Sequence, residues 1–229
     1  MQSNVTSLRS SLFKQLQHDP EIIALIDKAD EVVAAMGYTD HGRRHVTMVG
    51  VNASRVLARL GYDAQVCDLA AVAGLLHDLG NCAGRHGHAS AGAVFVYQLL
   101  TARGVPSSAA ATVMTAIANH DELEQGTPVD APSAALIIAD KAEIHRSRVR
   151  TPRSEDFDIH DRVNYAVVKA ELDVQAAEKS ISLRLTADQE YAVPADILDL
   201  FSSRFAMSRS AAEFLGCSYS VLVNGETIF

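Results

Sequence analysis

The sequence predicts a mainly α protein, a helical bundle carrying a small C-terminal α+β element. Three observations predict it. Apolar residues recur at helical spacing between glycine and proline breaks over the first two thirds of the 229-residue chain. No strand-like alternation interrupts that region. After Thr151-Pro152 the pattern changes, and Ser180-Ile181-Ser182-Leu183-Arg184-Leu185 alternates strictly, as a half-buried strand does.

The elements follow in order. Asp19-Pro20-Glu21 sets a helix start, with proline in the first turn and an acid at the positive end of the helix dipole. Ile22, Ile23, Leu25, Ile26, Val32 and Val33 give its apolar stripe, and Gly37 closes it. A second helix is expected from Thr39-Asp40 to Leu60, before Gly61. A third starts near Asp63, carries Leu69, Val72, Ala73, Leu75 and Leu76, and ends at Gly80. A glycine-rich loop, Cys82–Gly87, precedes a fourth helix from His88 to Arg103, stopped by Gly104. Helices over Ser107–Asn119 and from Pro132 to about Val149 follow. Beyond them, Val167–Val174 alternates in part, and Pro194–Leu215 reads as a helix with Ile197, Leu198, Phe201, Phe205 and Phe214 on its apolar side. Tyr219–Val223 with Asn224-Gly225 reads as a last strand and turn. The expected division is a helical domain over 1–152 and a small α+β extension over 153–229 packed on it. No repeat or low-complexity linker separates the two.

Composition excludes several function classes. Twenty basic against 28 acidic residues leave a formal charge of −8, which argues against a binder of nucleic-acid polymer or of an anionic membrane. At 48% hydrophobic the chain is too apolar to be disordered. The start Met1-Gln2-Ser3-Asn4-Val5 shows no leader pattern, and the apolar runs Leu69–Leu76 and Ala134–Ala139 are far shorter than the roughly 20 residues of a membrane span. Cys67, Cys82 and Cys217 form no paired motif and read as free thiols, so a cytoplasmic location is expected. Nine histidines are present, and six of them (His41, His45, His77, His86, His88, His120) fall between 41 and 120, where even spacing would place about three.

That excess points to the chemistry. His77-Asp78 stands at the C-terminal end of the apolar third helix, and His45 lies near the start of the second. Asp140 ends the apolar run Ala134–Ala139, where an unpartnered carboxylate would be costly to bury. A cation held between neighbouring helices explains all four residues, and a mixed imidazole and carboxylate set suits Mn or Fe, with Mg, Ni, Co or Zn also compatible.

The order His45 … His77-Asp78 … Asp140 resembles the HD superfamily of metal-dependent phosphohydrolases, an all-α fold named for that His-Asp pair. Asp40-His41-Gly42-Arg43-Arg44-His45, Leu76-His77-Asp78-Leu79-Gly80-Asn81, Asn119-His120-Asp121-Glu122 and Ile138-Ala139-Asp140-Lys141 resemble its motifs. The segment from Phe157 through Asp161-Arg162-Val163-Asn164-Tyr165 to the end is similar to a bacterial subgroup of HD proteins. The resemblance implies that His45, His77, Asp78 and Asp140 hold one divalent metal. It implies that His88 and His120 add a second, with Asp78 bridging. Two metals ~3.5–4 Å apart would clamp a phosphoryl group and lower the pKa of a shared water towards ~7.

The implied function is hydrolysis of a small phosphomonoester or phosphodiester such as a nucleotide, with a homodimer as one arrangement. Asp78, Asp121, Glu122 and Lys141 are the candidate catalytic residues, Asp121 and Glu122 either protonating a leaving oxygen or orienting His120. Arg44, Arg85 and Lys141 are the cations expected nearest a phosphate. His41, four residues before His45, either touches substrate or caps the helix. His86 reads as an exposed loop histidine, Cys82 as a small loop residue, and His145 and His160 have no evident partner. Arg146, Arg148, Arg150 and Arg153 read as a solvated helix face, with binding of a substrate anion or of a tail as the alternative. No Gly-Tyr-Pro follows His120, which disfavours the cyclic-dinucleotide group, and no Glu-Asp pair follows His77-Asp78, which disfavours alarmone hydrolysis. Two alternatives remain: a mixed-valent di-iron oxygenase on the same fold and ligand order, and a nucleotide-binding sensor motivated by the appended α+β element.

Overall fold

The computed structural model describes residues 11–229, so the Met1–Val5 start lies outside the described residues. A short helix α1 (Leu12–Gln17), capped by Ser11, leads into α2 (Pro20–Ala35). Pro20 stands in the first turn, and the Asp19 carboxylate accepts the Glu21 and Ile22 N–H groups at 2.8 and 3.4 Å. These are the donors that a helix start leaves without an internal acceptor. The next helices are α3 (Arg43–Arg59), α4 (Ala64–Leu76), α5 (His88–Ala102), α6 (Ser107–Ala118) and α7 (Ala131–Lys141). From Pro132 to Lys141 every residue of α7 is buried, as is every residue of α4 from Ala70 to Leu76. These two helices form the centre, and their apolarity on all sides follows from that position.

Three helix boundaries differ from the sequence expectation. Helix α3 begins at Arg43, because the Asp40 N–H donates to Arg148 O at 2.8 Å and the His41 N–H to Asp30 Oδ1 at 2.8 Å. Those bonds draw the backbone of 39–42 away from helical geometry. Helix α4 ends at Leu76 instead of Gly80, and Leu79–Ala83 winds as a tighter 3-10 turn. A Cβ on Gly80 would lie 1.9 Å from His88 O, so only glycine permits the close approach of this turn to α5. Helix α7 stops at Lys141, and Arg146–Arg148 forms a separate 3-10 turn.

The basic run is therefore not a solvated helix face. Arg148 is buried and donates to Asp40 O and Glu143 O, each at 2.9 Å. Arg150 pairs with Asp30, and Arg146 lies 4.8 Å from the Tyr165 ring centroid. Arg150 and Arg153 are exposed, and Arg153 pairs with Glu155 and Asp156.

The C-terminal part is α+β as expected. Helix α8 (Ile159–Ala166), which the sequence pattern did not announce, runs directly into β1 (Val167–Gln175). Strand β2 (Ser180–Ala187) pairs antiparallel with β1, matching Leu172 with Leu183 and Val174 with Ile181. Helix α9 (Pro194–Phe214) then crosses over to β3 (Ser218–Val223), parallel to β2, and β4 (Glu226–Thr227) closes the sheet after the Asn224-Gly225 turn. Ile181, Leu183 and Leu185 point inward while Arg184 stays exposed, so the period-2 pattern has the burial it predicts. Helix α9 packs on β3 and also on α7, which brings the C-terminal element beside the centre of the bundle. Among the described residues no helix is long and apolar enough to cross a membrane, and the three cysteines are unpaired.

Candidate metal centre

Six side chains from five helix ends meet in the interior. His45 stands in the first turn of α3, and His77-Asp78 follows α4. His88 opens α5, His120 follows α6, and Asp140 lies one residue before the end of α7. All six are buried. His45 Nε2 lies 3.6 Å from both Asp78 Oδ2 and Asp140 Oδ1, and His77 Nε2 lies 3.2 and 3.7 Å from the same two oxygens. On the other side His88 Nε2 is 3.6 Å from Asp78 Oδ1 and 3.3 Å from His120 Nε2. Metal–ligand bonds of about 2.0–2.2 Å place neighbouring ligand atoms roughly 3.0–3.6 Å apart, which is this spacing. The groups able to hold an ion include His45, His77 and Asp78 on one side, and Asp78, His88 and His120 on the other.

The hydrogen bonds assign the ring nitrogens. His77 Nδ1 faces Gly74 O at 2.8 Å, His88 Nδ1 faces Arg85 O at 3.0 Å, and His120 Nδ1 faces Ile117 O at 2.6 Å. A carbonyl only accepts, so each Nδ1 carries the proton, and in the neutral ring Nε2 keeps its lone pair. His45 Nδ1 is held in the same way by Glu143 Oε2 at 3.1 Å. Four imidazoles are thus oriented from behind with Nε2 turned inward, the usual support of a metal-binding histidine. His45 Nε2 and Asp78 Oδ2 are buried with no hydrogen-bond partner, an arrangement that is costly unless a cation completes it. The donor set fits a divalent metal.

Electrostatics agree with that reading. Burial holds the His45, His88 and His120 imidazoles below their ordinary range, His120 far below it. Burial opposes charge on His77 too, but Asp78 and Asp140 outweigh it and raise that ring. Burial alone would also raise Asp78 and Asp140. The neighbouring His77 and, for Asp140, Lys141 reverse the effect and keep both carboxyls well below the usual carboxylate range.

The model of the HD domain family matches residues 43–166, more than half of the chain, and the match takes in all six of these residues. The chain belongs to the HD domain family. That family is a superfamily of metal-dependent phosphohydrolases. Neither the comparison with curated proteins nor that with solved structures finds a match.

Beside the HD centre opens a cavity of about 380 Å³ whose wall includes His77, Asp78, His120 and Asp140. His41 lines it as well. Its Nδ1 donates to Thr39 O at 2.6 Å, while the cap of α3 is Gly42 with no side-chain bond, so His41 is a cavity residue and not a helix cap. Arg85 and Lys141 line the cavity as expected. Arg44 does not. It bonds Glu143 Oε1 at 2.8 Å and stands outside the cavity wall, behind His45.

Glu122 faces the cavity and holds Lys141 Nζ at 2.6 Å. Burial would raise its carboxyl, but Lys141 and Arg204 lower it, so this carboxylate resists taking a proton. Asp121 lies behind His88, 3.5 Å from its Nδ1, and accepts the Leu123 N–H at 2.8 Å. His86 is exposed, and Cys82 Sγ donates to Leu25 O at 3.4 Å. His145 bonds Ser147 and Val168 O, whereas His160 lines the cavity.

Three functional positions escaped the sequence reading. Glu143 supports His45, and its spacing of three from Asp140 was the available signal. Glu124 Oε1 lies 3.1 Å from His88 Nδ1 and accepts the Ala89 N–H at 3.1 Å, fixing the start of α5. Arg204 of α9 reaches the cavity from outside the family match, and no local pattern in the sequence marks it.

Proposed function

We propose that this protein hydrolyses a small phosphomonoester or phosphodiester, a nucleotide or a phosphate ester of similar size, with one or two divalent metals, Mn or Fe, in the HD centre. The observation that carries the proposal is the set of four inward Nε2 atoms around Asp78 and Asp140, two of its buried polar atoms left without partners, at the wall of a cavity lined by cations. His45, His77, Asp78 Oδ2 and Asp140 would hold the first metal, and Asp78 Oδ1, His88 and His120 the second. A metal bound there supplies positive charge to a phosphoryl oxygen and makes water a stronger acid near neutral pH.

The side chains around it do the rest. Lys141, kept protonated by Asp140 and Glu122, faces the developing charge on the phosphoryl oxygens. Arg85, whose guanidinium carbon lies 5.7 Å from the Tyr38 ring centroid, offers further donors from the opposite loop. Glu122 orients Lys141 in preference to donating a proton, since its carboxyl is already held ionised. The cavity volume suits a mononucleotide-sized ester. The test is a panel of nucleotides, cyclic nucleotides, sugar phosphates and aryl phosphate mono- and diesters assayed with Mn-loaded and Fe-loaded protein. Metal-dependent cleavage, read as inorganic phosphate from a monoester or as an alcohol and a phosphomonoester from a diester, supports the proposal, and no cleavage across the panel with a loaded centre overturns it.

A further inference from the structure

Four cations line the cavity, and three of them are paired. Arg85 lies 3.6 Å from both Asp78 and Asp121, Lys141 holds Glu122 and Asp140, and Arg148 lies 3.6 Å from Glu143. Arg204 differs. Among the described residues no carboxylate comes within 4.0 Å of it, and its Nε is buried without a hydrogen-bond partner. The side chain is nevertheless fixed. Nη2 donates to Asp140 O at 3.1 Å, and the guanidinium carbon stands 5.3 Å from the Phe201 ring centroid one helical turn away. An Arg that lines the cavity, is held against the backbone of a proposed metal ligand and has no carboxylate in direct contact is arranged for an anion.

We propose that Arg204 is a substrate-binding residue that donates to a non-bridging oxygen of the phosphoryl group, so that the C-terminal α+β element forms part of the site. The proposal rests on the phosphohydrolase reading for the identity of the anion. It goes beyond the HD domain, because α9 lies outside the family match at 43–166. Guanidinium geometry favours phosphate over a point anion, since two parallel N–H groups can meet two oxygens. The link to Asp140 O sets that fork beside the proposed metals, where a phosphoryl group would be held.

The test uses full-length, manganese-loaded protein titrated with inorganic phosphate by calorimetry. Arg204→Ala is expected to weaken phosphate binding roughly 10- to 100-fold, as expected for loss of a charge-assisted hydrogen bond, with manganese content unchanged. Arg204→Lys should recover part of the loss. Arg204→Gln, which keeps a donor for Asp140 O but no charge, should bind phosphate nearly as poorly as alanine and separates the charge from the structural tie. Phosphate affinity within twofold of wild type in Arg204→Gln, or no binding of phosphate by wild type, overturns the proposal. Arg204-dependent phosphate binding in a protein that hydrolyses no ester supports Arg204 as the anion site and overturns only the reaction.

Discussion

Glu143 Oε2 lies 3.1 Å from His45 Nδ1, and the opposite nitrogen of that ring is buried with no protein partner. One carboxylate thereby fixes the direction in which His45 presents its lone pair. The same carboxylate bonds Arg44 and faces Arg148, so it joins α3, the segment after α7 and the cavity wall. Glu143→Gln should lower metal affinity about 10- to 100-fold, as loss of a supporting carboxylate does elsewhere. Metal titration of the variant checks this, and wild-type affinity would exclude the orienting role.

Acid should unfold the metal-free protein partly through this carboxylate. Burial would raise Glu143, but the hydrogen bond and charge of His45, the charge of Arg148 and the hydrogen bond from Arg44 lower it far below the ordinary carboxyl range. Below about pH 4.5 the unfolded chain takes up the proton that the native chain refuses, so stability is present above that value and falls as pH falls. Asp78 and Asp140 act in the same sense. Thermal melts from pH 6 to 3 should fall less steeply for Glu143→Gln than for wild type, and parallel curves would contradict the assignment.

Gly80 is the position where adding one methyl should do most harm near the site. Its Cβ would meet His88 O at 1.9 Å and Gly92 N at 2.7 Å, both backbone atoms of α5 that cannot swing aside. Gly80→Ala should destabilise by about 3 kcal/mol, roughly 6–12 °C in Tm for a chain of this size. Because the displaced atom belongs to His88, metal content should fall as well. A variant with wild-type Tm and metal content would show that the approach of the turn to α5 is looser than the geometry described here.

Much of this was legible in the sequence because it is local. Helix starts at Pro20 and Pro194, stops at Gly61 and Gly104, and the strict alternation of Ser180–Leu185 each follow from short-range rules. The ligand order His45, His77-Asp78, His88, His120, Asp140 was legible for a different reason, a resemblance in motif spacing. Arg148 was misread because a run of four arginines reads as solvated by composition. Its burial depends on carbonyls of Asp40 and Glu143 that only the tertiary fold supplies. Arg204 was missed because its place at the cavity depends on α9 packing against α7, a contact across more than 60 residues of chain. The late start of α3 has the same origin, since Asp30 and Arg148 come from elsewhere to claim its first donors.

Metal should also stabilise the fold. An ion bound to the native state alone at 100 times its Kd contributes about 2.7 kcal/mol. Chelation should lower Tm, and restoring manganese should recover it, as scanning calorimetry can follow. A Tm that is indifferent to chelator in protein shown to contain metal would place that metal outside this centre.

The central claim is that Asp78 serves both halves of one metal centre, Oδ2 towards His45 and His77 and Oδ1 towards His88. The most direct test measures bound metal and phosphoester hydrolysis together in wild type and Asp78→Ala. The account predicts one to two equivalents of Mn or Fe with phosphoester hydrolysis in wild type, and loss of both in a folded variant. Undiminished metal content or hydrolysis in Asp78→Ala would contradict it.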